Sequence, residues 1–282
     1  MNTRELEALL KLLDDKDQFV VDQVEEKLKE YYAHLPSSVW SNFYKDLPQP
    51  AKERLHSVLT RFNYEKSISL MQTWLENPLM LSEALFVVAR VLNPFLEYHQ
   101  FLSQILRFTR YFPKDFSKNY SPLEQARYTS RIFYKVEGFQ WYHTQPFVKY
   151  LNPEYVVKHA RGSHITWALI IIAVLQYLNI HWLLLSNMAL THSYIVVPAN
   201  VKKLLYFFID PRTGEIINST PLSQSDVETL LQTGLKHYNL LNIKSLVLAF
   251  LLDGVLPRQM DDIWQIFNRF NTMIANSDKN FK

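Results

Sequence analysis

Cysteine is absent from all 282 residues. Its absence excludes disulfides, a thiolate nucleophile and any zinc-thiolate site, and it fits a reducing cytoplasm. Long apolar runs are missing too. The longest, residues 167–178, falls short of the roughly 20 residues a bilayer-spanning helix needs, so no membrane association is expected. The first residues, MNTRELEALLKLLDDKDQ, place acids among the apolar positions and lack a charged-then-apolar leader, so a cytoplasmic protein is expected. Charge of one sign is equally scarce: 30 basic and 27 acidic residues are dispersed to a net +3. That pattern holds no dense basic stretch to follow phosphates, and nucleic acid is not an expected partner. His159 and His164 are five apart, and His143, His181 and His192 have no ligand spacing. Neither a metal nor a cofactor is therefore expected.

What is present suits a globular interior. At 48% hydrophobic residues, a chain of this length buries one large core or two ordinary ones. Leu6, Leu9, Leu10 and Leu13 share a helical face. Asp14, Asp15 and Asp17 interrupt it, and Val20, Val21, Val24 and Leu28 resume it, which predicts a helical hairpin. Further helices are expected to Phe112, ending near Pro78, Pro94 and Pro113. Ser121, Pro122 and Glu124 form a capping-box pattern for a helix reaching Phe139, with Gly138 as its left-handed stop. Residues 182–185, 192–198 and 204–210 are short, β-branched or aromatic, and predict a small antiparallel sheet. Helices are expected again after Pro221. The expected fold class is α+β, with a helical region at 1–117 and an α+β core at 118–282.

The candidate chemistry lies in three segments: YVVKHARGSHITWALIIIAVLQYLNI, THSYIVV and FFIDPRTGEII. In this order they resemble the bacterial transglutaminase-like family of the SirB type, and LSEALFVVARVLNPFLEYHQFLSQI is similar to the helices preceding its core. The resemblance spans roughly residues 79–252 and implies a papain-like core behind a helical region. The hairpin ELEALLKLLDDKDQFVVDQVEEKL resembles a HEAT-type unit, though a solenoid needs at least three such units. By resemblance, Thr166 stands where the family has serine and true transglutaminases have cysteine, His192 matches the base and Asp210 its orienting carboxylate.

Ser163 is a good N-cap and puts Thr166 in the first turn, where the helix dipole would favour a thiolate but gives an alcohol little. An internal threonine also lacks the free amine that known threonine nucleophiles use as base. Losing a competent nucleophile from a hydrolase costs about 10⁶-fold in turnover. Trp141 and Tyr142 stand where the family has small polar residues, and Ser163-His164 where it has isoleucine-proline. Read singly, Thr166 is a first-turn residue bonding backbone, His192 a strand histidine and Asp210 a turn initiator before Pro211. The expected function is that of a non-catalytic transglutaminase-like protein acting as a protein-binding or regulatory module, with another protein as its partner. The competing expectation is a hydrolase or acyl-transfer enzyme using Thr166, or Ser163, with His192 and Asp210.

Overall fold

A computed structural model describes residues 3–13, 15–76, 80–142, 148–187, 193–200, 203, 205–223 and 238–240. The acidic break near the N-terminus is a cap. Helix α1 (Thr3–Leu12) gives way to α2 (Gln18–His34) where the Asp17 carboxylate accepts from the Phe19 N–H at 2.9 Å. The apolar faces of these two helices cannot close a core alone. Leu6, Leu10, Leu13, Val24 and Leu28 instead bury against Trp40 of α3 (Ser37–Asp46) and Leu55, Val58, Leu59 and Phe62 of α4 (Gln49–Glu76).

A second buried cluster runs from Trp74 to Ile209. It draws on α5 (Leu81–Leu92), α6 (Tyr98–Leu106), the tighter turn Arg107–Tyr111, α7 (Phe116–Asn119) and α8 (Pro122–Ser130). Residues on both sides of the expected boundary near Lys118 share this one interior. Tyr32 Oη donates to Asn63 Oδ1, and Asn63 Nδ2 donates to the Arg90 carbonyl at 2.8 Å, so α2, α4 and α5 are tied together. Phe95 packs on the first cluster and neighbouring Leu96 belongs to the second.

The expected capping box is present: Ser121 Oγ accepts from the Glu124 N–H, and the Glu124 carboxylate accepts from the Ser121 N–H at 2.8 Å. The helix does not continue regularly to Phe139. Residues Arg131–Val136 widen into a π turn, closed by Glu137 N–H donating to the Ile132 carbonyl at 2.9 Å, and Gly138 follows at φ 66°.

The short strands β1 (Gln140–Trp141) and β2 (Arg161–Gly162) pair in parallel, with α9 (Val148–Leu151) and α10 (Pro153–His159) between them. Next comes α11 (His164–Tyr177), apolar on every side and buried from His164 to Leu175, as a helix without a polar face must be. At its centre Trp167 stacks on Phe139 (4.6 Å, 7°) and meets Phe133 and Phe108 edge-on.

An antiparallel sheet follows, in the order β6-β5-β4-β3-β7: β3 (Leu183–Asn187), β4 (Ser193–Asn200), β5 (Leu205–Ile209), β6 (Leu222–Ser223) and β7 (Tyr238–Leu240). Strand alternation turns Ile195, Val197, Phe207 and Ile209 into the main interior, while Val196 and Phe208 form a small cluster on the other face. The chain thus mixes helix and sheet, with helix dominant. Of the region after Pro221 where helices are expected, residues 224–237 and 241–282 lie outside the described residues. Of the stretch after Pro221, Leu222–Ser223 and Tyr238–Leu240 are strands. Among the described residues, no helix is long and apolar enough to cross a membrane.

Candidate functional site

The start of α11 is fixed by its neighbours. Ser163 N–H donates to the Tyr150 carbonyl at 2.8 Å, and Ser163 Oγ accepts from the Ile165 N–H at 3.2 Å, the expected N-cap. Thr166 then falls in the first turn as expected, but it points inward. It is fully buried, and its Oγ1 donates to the Leu151 carbonyl at 3.2 Å. The hydroxyl proton is committed to the backbone at the end of α9, so the oxygen has no approach from solvent. Ser163 is spent as a cap. His192 lies outside the described residues.

Asp210 stands directly after β5, buried at 7% exposure. Arg212 clamps it: Nε donates to Oδ1 at 2.8 Å and to Oδ2 at 3.1 Å, and Nη2 donates to Oδ2 at 2.5 Å. The Arg212 N–H adds a bond to Oδ1 at 2.8 Å. Burial by itself would raise this carboxyl's pKa. The Arg212 side chain and backbone, with His164 close by, outweigh it and hold the group below its usual value of 3.8.

The turn 210–214 is docked on α8 and the π turn. Tyr134 Oη donates to the Pro211 carbonyl at 2.8 Å, and Ser130 Oγ donates to the Gly214 carbonyl. Gly214 has φ 76°, and an added Cβ would collide with the Tyr134 ring. Burial, with the Asp210 charge nearby, keeps the Tyr134 phenol protonated far above the usual range.

Trp141 closes this group. Its ring meets His164 edge-on at 5.7 Å and 86°, and the Arg212 guanidinium lies 5.7 Å over it. Tyr142 stacks on Tyr150 at 4.8 Å and 10°. The side chains assembled beside Asp210 are therefore Arg212, His164, Trp141 and Tyr134. Arg212 was visible in the sequence only as part of a turn, and His164 only as the first residue of a helix. Arg161 is exposed in β2, and His159 is exposed on α10 beside Tyr155.

No protein-family model, curated protein or solved structure matches this chain. The geometry of the site stands alone. Among the described residues, no group of three or more His, Asp or Glu side chains could hold a metal ion. Chemically, the assembly supplies a buried imidazole at His164, a phenol held protonated at Tyr134 and a carboxylate paired with Arg212, while Thr166 adds a buried hydroxyl that donates to a carbonyl.

Proposed function

We propose that this chain is a non-catalytic protein with a transglutaminase-like core, working in the cytoplasm as a protein-binding or regulatory module. The order of α11, β4 and β5, with Asp210 at a strand end, supports the family reading. One observation carries the absence of catalysis: Thr166 is sealed from solvent with its proton given to the Leu151 carbonyl. A nucleophile needs an exposed oxygen within reach of a base, and an alcohol depends on that base wholly. The remodelling beside Asp210 supports the same reading, because Arg212 occupies both carboxylate oxygens and Trp141 fills the space next to His164. The HEAT-like first pair within the α1–α4 helices gives the chain a protein-contact architecture, since helical faces are common docking elements.

The test is turnover of amide and acyl-transfer substrates by wild type and by Thr166→Cys. Wild type is expected to show none, and the variant at most a trace. Wild-type turnover that His192→Ala abolishes would overturn the reading.

A further inference from the structure

One stretch of the chain is enriched in basic residues. Residues 107–137 contain seven bases and three acids, a larger positive excess than the +3 of the whole chain. One acid, Glu137, turns inward at 14% side-chain exposure and pairs with Arg107 at 3.4 Å. Arg110, Lys114, Lys118, Arg127, Arg131 and Lys135 are all exposed. Within this stretch the other acids are Asp115 and Glu124, the latter held in the capping box with Ser121, and exposed Glu215 follows the Gly214 whose carbonyl Ser130 holds.

Three of these bases form a row. Arg127, Arg131 and Lys135 are spaced four apart along α8 and its π turn, whose other side buries Ala126, Thr129, Ile132 and Phe133. Neighbours at this spacing lie about 5–6 Å apart. In a regular α-helix such a row drifts round by about 40° per step, because each residue turns the chain by about 100°. The π turn begins at Arg131 and holds more residues per turn, which offsets that drift between Arg131 and Lys135. None of the three forms an ion pair with another described residue. Tyr128 Oη donates to the Tyr111 carbonyl at 2.8 Å, which holds the Arg110–Tyr111 corner against α8. Val136, 53% exposed, puts an apolar side chain at the end of the row.

We propose that this face binds an acidic helical segment of a partner protein. The inference rests on the reading of the chain as a protein-binding module and supplies the partner's chemistry. Carboxylates spaced four apart on the partner would match Arg127, Arg131 and Lys135, and an apolar residue beside the last would cover Val136. A polyphosphate backbone fits less well. The nearby rings of Tyr120 and Tyr128 pack on each other and on Phe116 instead of facing outward for base stacking. A lipid surface fits poorly too, since the row lacks the large apolar residues that anchor an interfacial helix.

The test is fluorescence anisotropy of the full chain with three probes. These are a labelled helical peptide carrying glutamate at every fourth position with leucine beside it, a labelled DNA duplex, and vesicles of mixed phosphatidylserine and phosphatidylcholine. The peptide is expected to bind, and to bind less as salt rises. Affinity should fall at least about tenfold, equivalent to about 1.4 kcal/mol, in the triple variant Arg127→Glu, Arg131→Glu, Lys135→Glu. The neutral triple Arg127→Gln, Arg131→Gln, Lys135→Gln should fall in the same direction with an unchanged melt. The charge-matched control Lys11→Glu, Lys16→Glu, Lys45→Glu, on α1, the turn after it and α3, should bind as wild type does. Peptide binding that is absent or indifferent to the row, or tighter binding of duplex or vesicles, overturns the proposal. Catalytic turnover would remove the non-catalytic reading and leave this binding result intact, so the two fail separately.

Discussion

Asp210 and Arg212, two residues apart, form a closed pair in which the guanidinium uses Nε and Nη2 to hold both carboxylate oxygens at 2.5–3.1 Å. A general base oriented by Asp210 would need one of those oxygens. The pair also bears on stability. Because the folded carboxyl sits below its usual value of 3.8, its contribution is complete above that value and is lost as pH falls through the folded one. Arg212→Leu leaves a buried carboxylate without its clamp. It should cost about 2–3 kcal/mol, somewhat under the loss for a fully enclosed pair, because Arg212 keeps 24% side-chain exposure. Urea unfolding at neutral pH checks the loss. Because burial alone would raise the unclamped carboxyl's pKa, the variant's deficit should shrink as pH falls and the carboxyl is protonated, and a deficit that stays constant into acid would contradict the account.

Much of this architecture was legible because it follows from local rules. Ser121 with Glu124, Ser163 before α11 and Asp17 before α2 all cap as their chemistry requires. The alternating segments around Ile195 and Phe207 formed the antiparallel sheet for the same reason. Other features depend on tertiary choices. In α11 every face is apolar, so no periodicity could say that Thr166 points toward the Leu151 carbonyl. Asp-Pro-Arg-Thr-Gly reads as a turn whether or not Arg212 folds back on Asp210. The π turn at Arg131–Val136 has no compositional signature, and the basic row emerges only once Ile132 and Phe133 fix which side of the helix is inside.

Thr166→Val separates a structural hydroxyl from a catalytic one. Valine keeps the shape and removes the donor, so the buried Leu151 carbonyl loses its bond from this hydroxyl and stability should fall by about 1 kcal/mol. Thr166→Ser retains the donor and should lose less. Chemical denaturation of the two variants measures the difference. Equal stability of the valine variant and wild type would show that the bond contributes nothing.

Two glycines with similar backbone angles should respond differently to alanine. Gly138 (φ 66°) has no atom within 4 Å of an added Cβ, whereas Gly214 (φ 76°) would drive that carbon into the Tyr134 ring and towards Ser130 Oγ. Gly138→Ala therefore meets only the backbone penalty, about 1 kcal/mol. Gly214→Ala adds overpacking of about 1–3 kcal/mol and should undock the turn that carries Asp210. In a Tyr134→Ala background, which carries its own packing loss, the further change Gly214→Ala should cost less than it does alone, because the ring that the new methyl group strikes is gone. Thermal melts of the single and double variants check this. Equal losses for the two single variants would refute the close approach.

His56 gives the first helical cluster its own acid sensitivity. The ring is half-buried on α4, 6.4 Å from the Tyr44 ring and 3.4 Å from Thr60 Oγ1, and burial lowers its pKa from the usual 6.5. The sign follows from a depressed histidine. Neutral His56 is favoured by folding, its contribution is present above about pH 6.5, and it is lost as pH falls through the lower folded value. His56→Gln cannot titrate and should flatten stability across that window, leaving the separate loss below pH 3.8 to which Asp210 contributes. Urea midpoints measured in steps between those two regions resolve the contributions. A wild-type midpoint that stays flat until the carboxylates titrate would show that burial of His56 has no effect on folding.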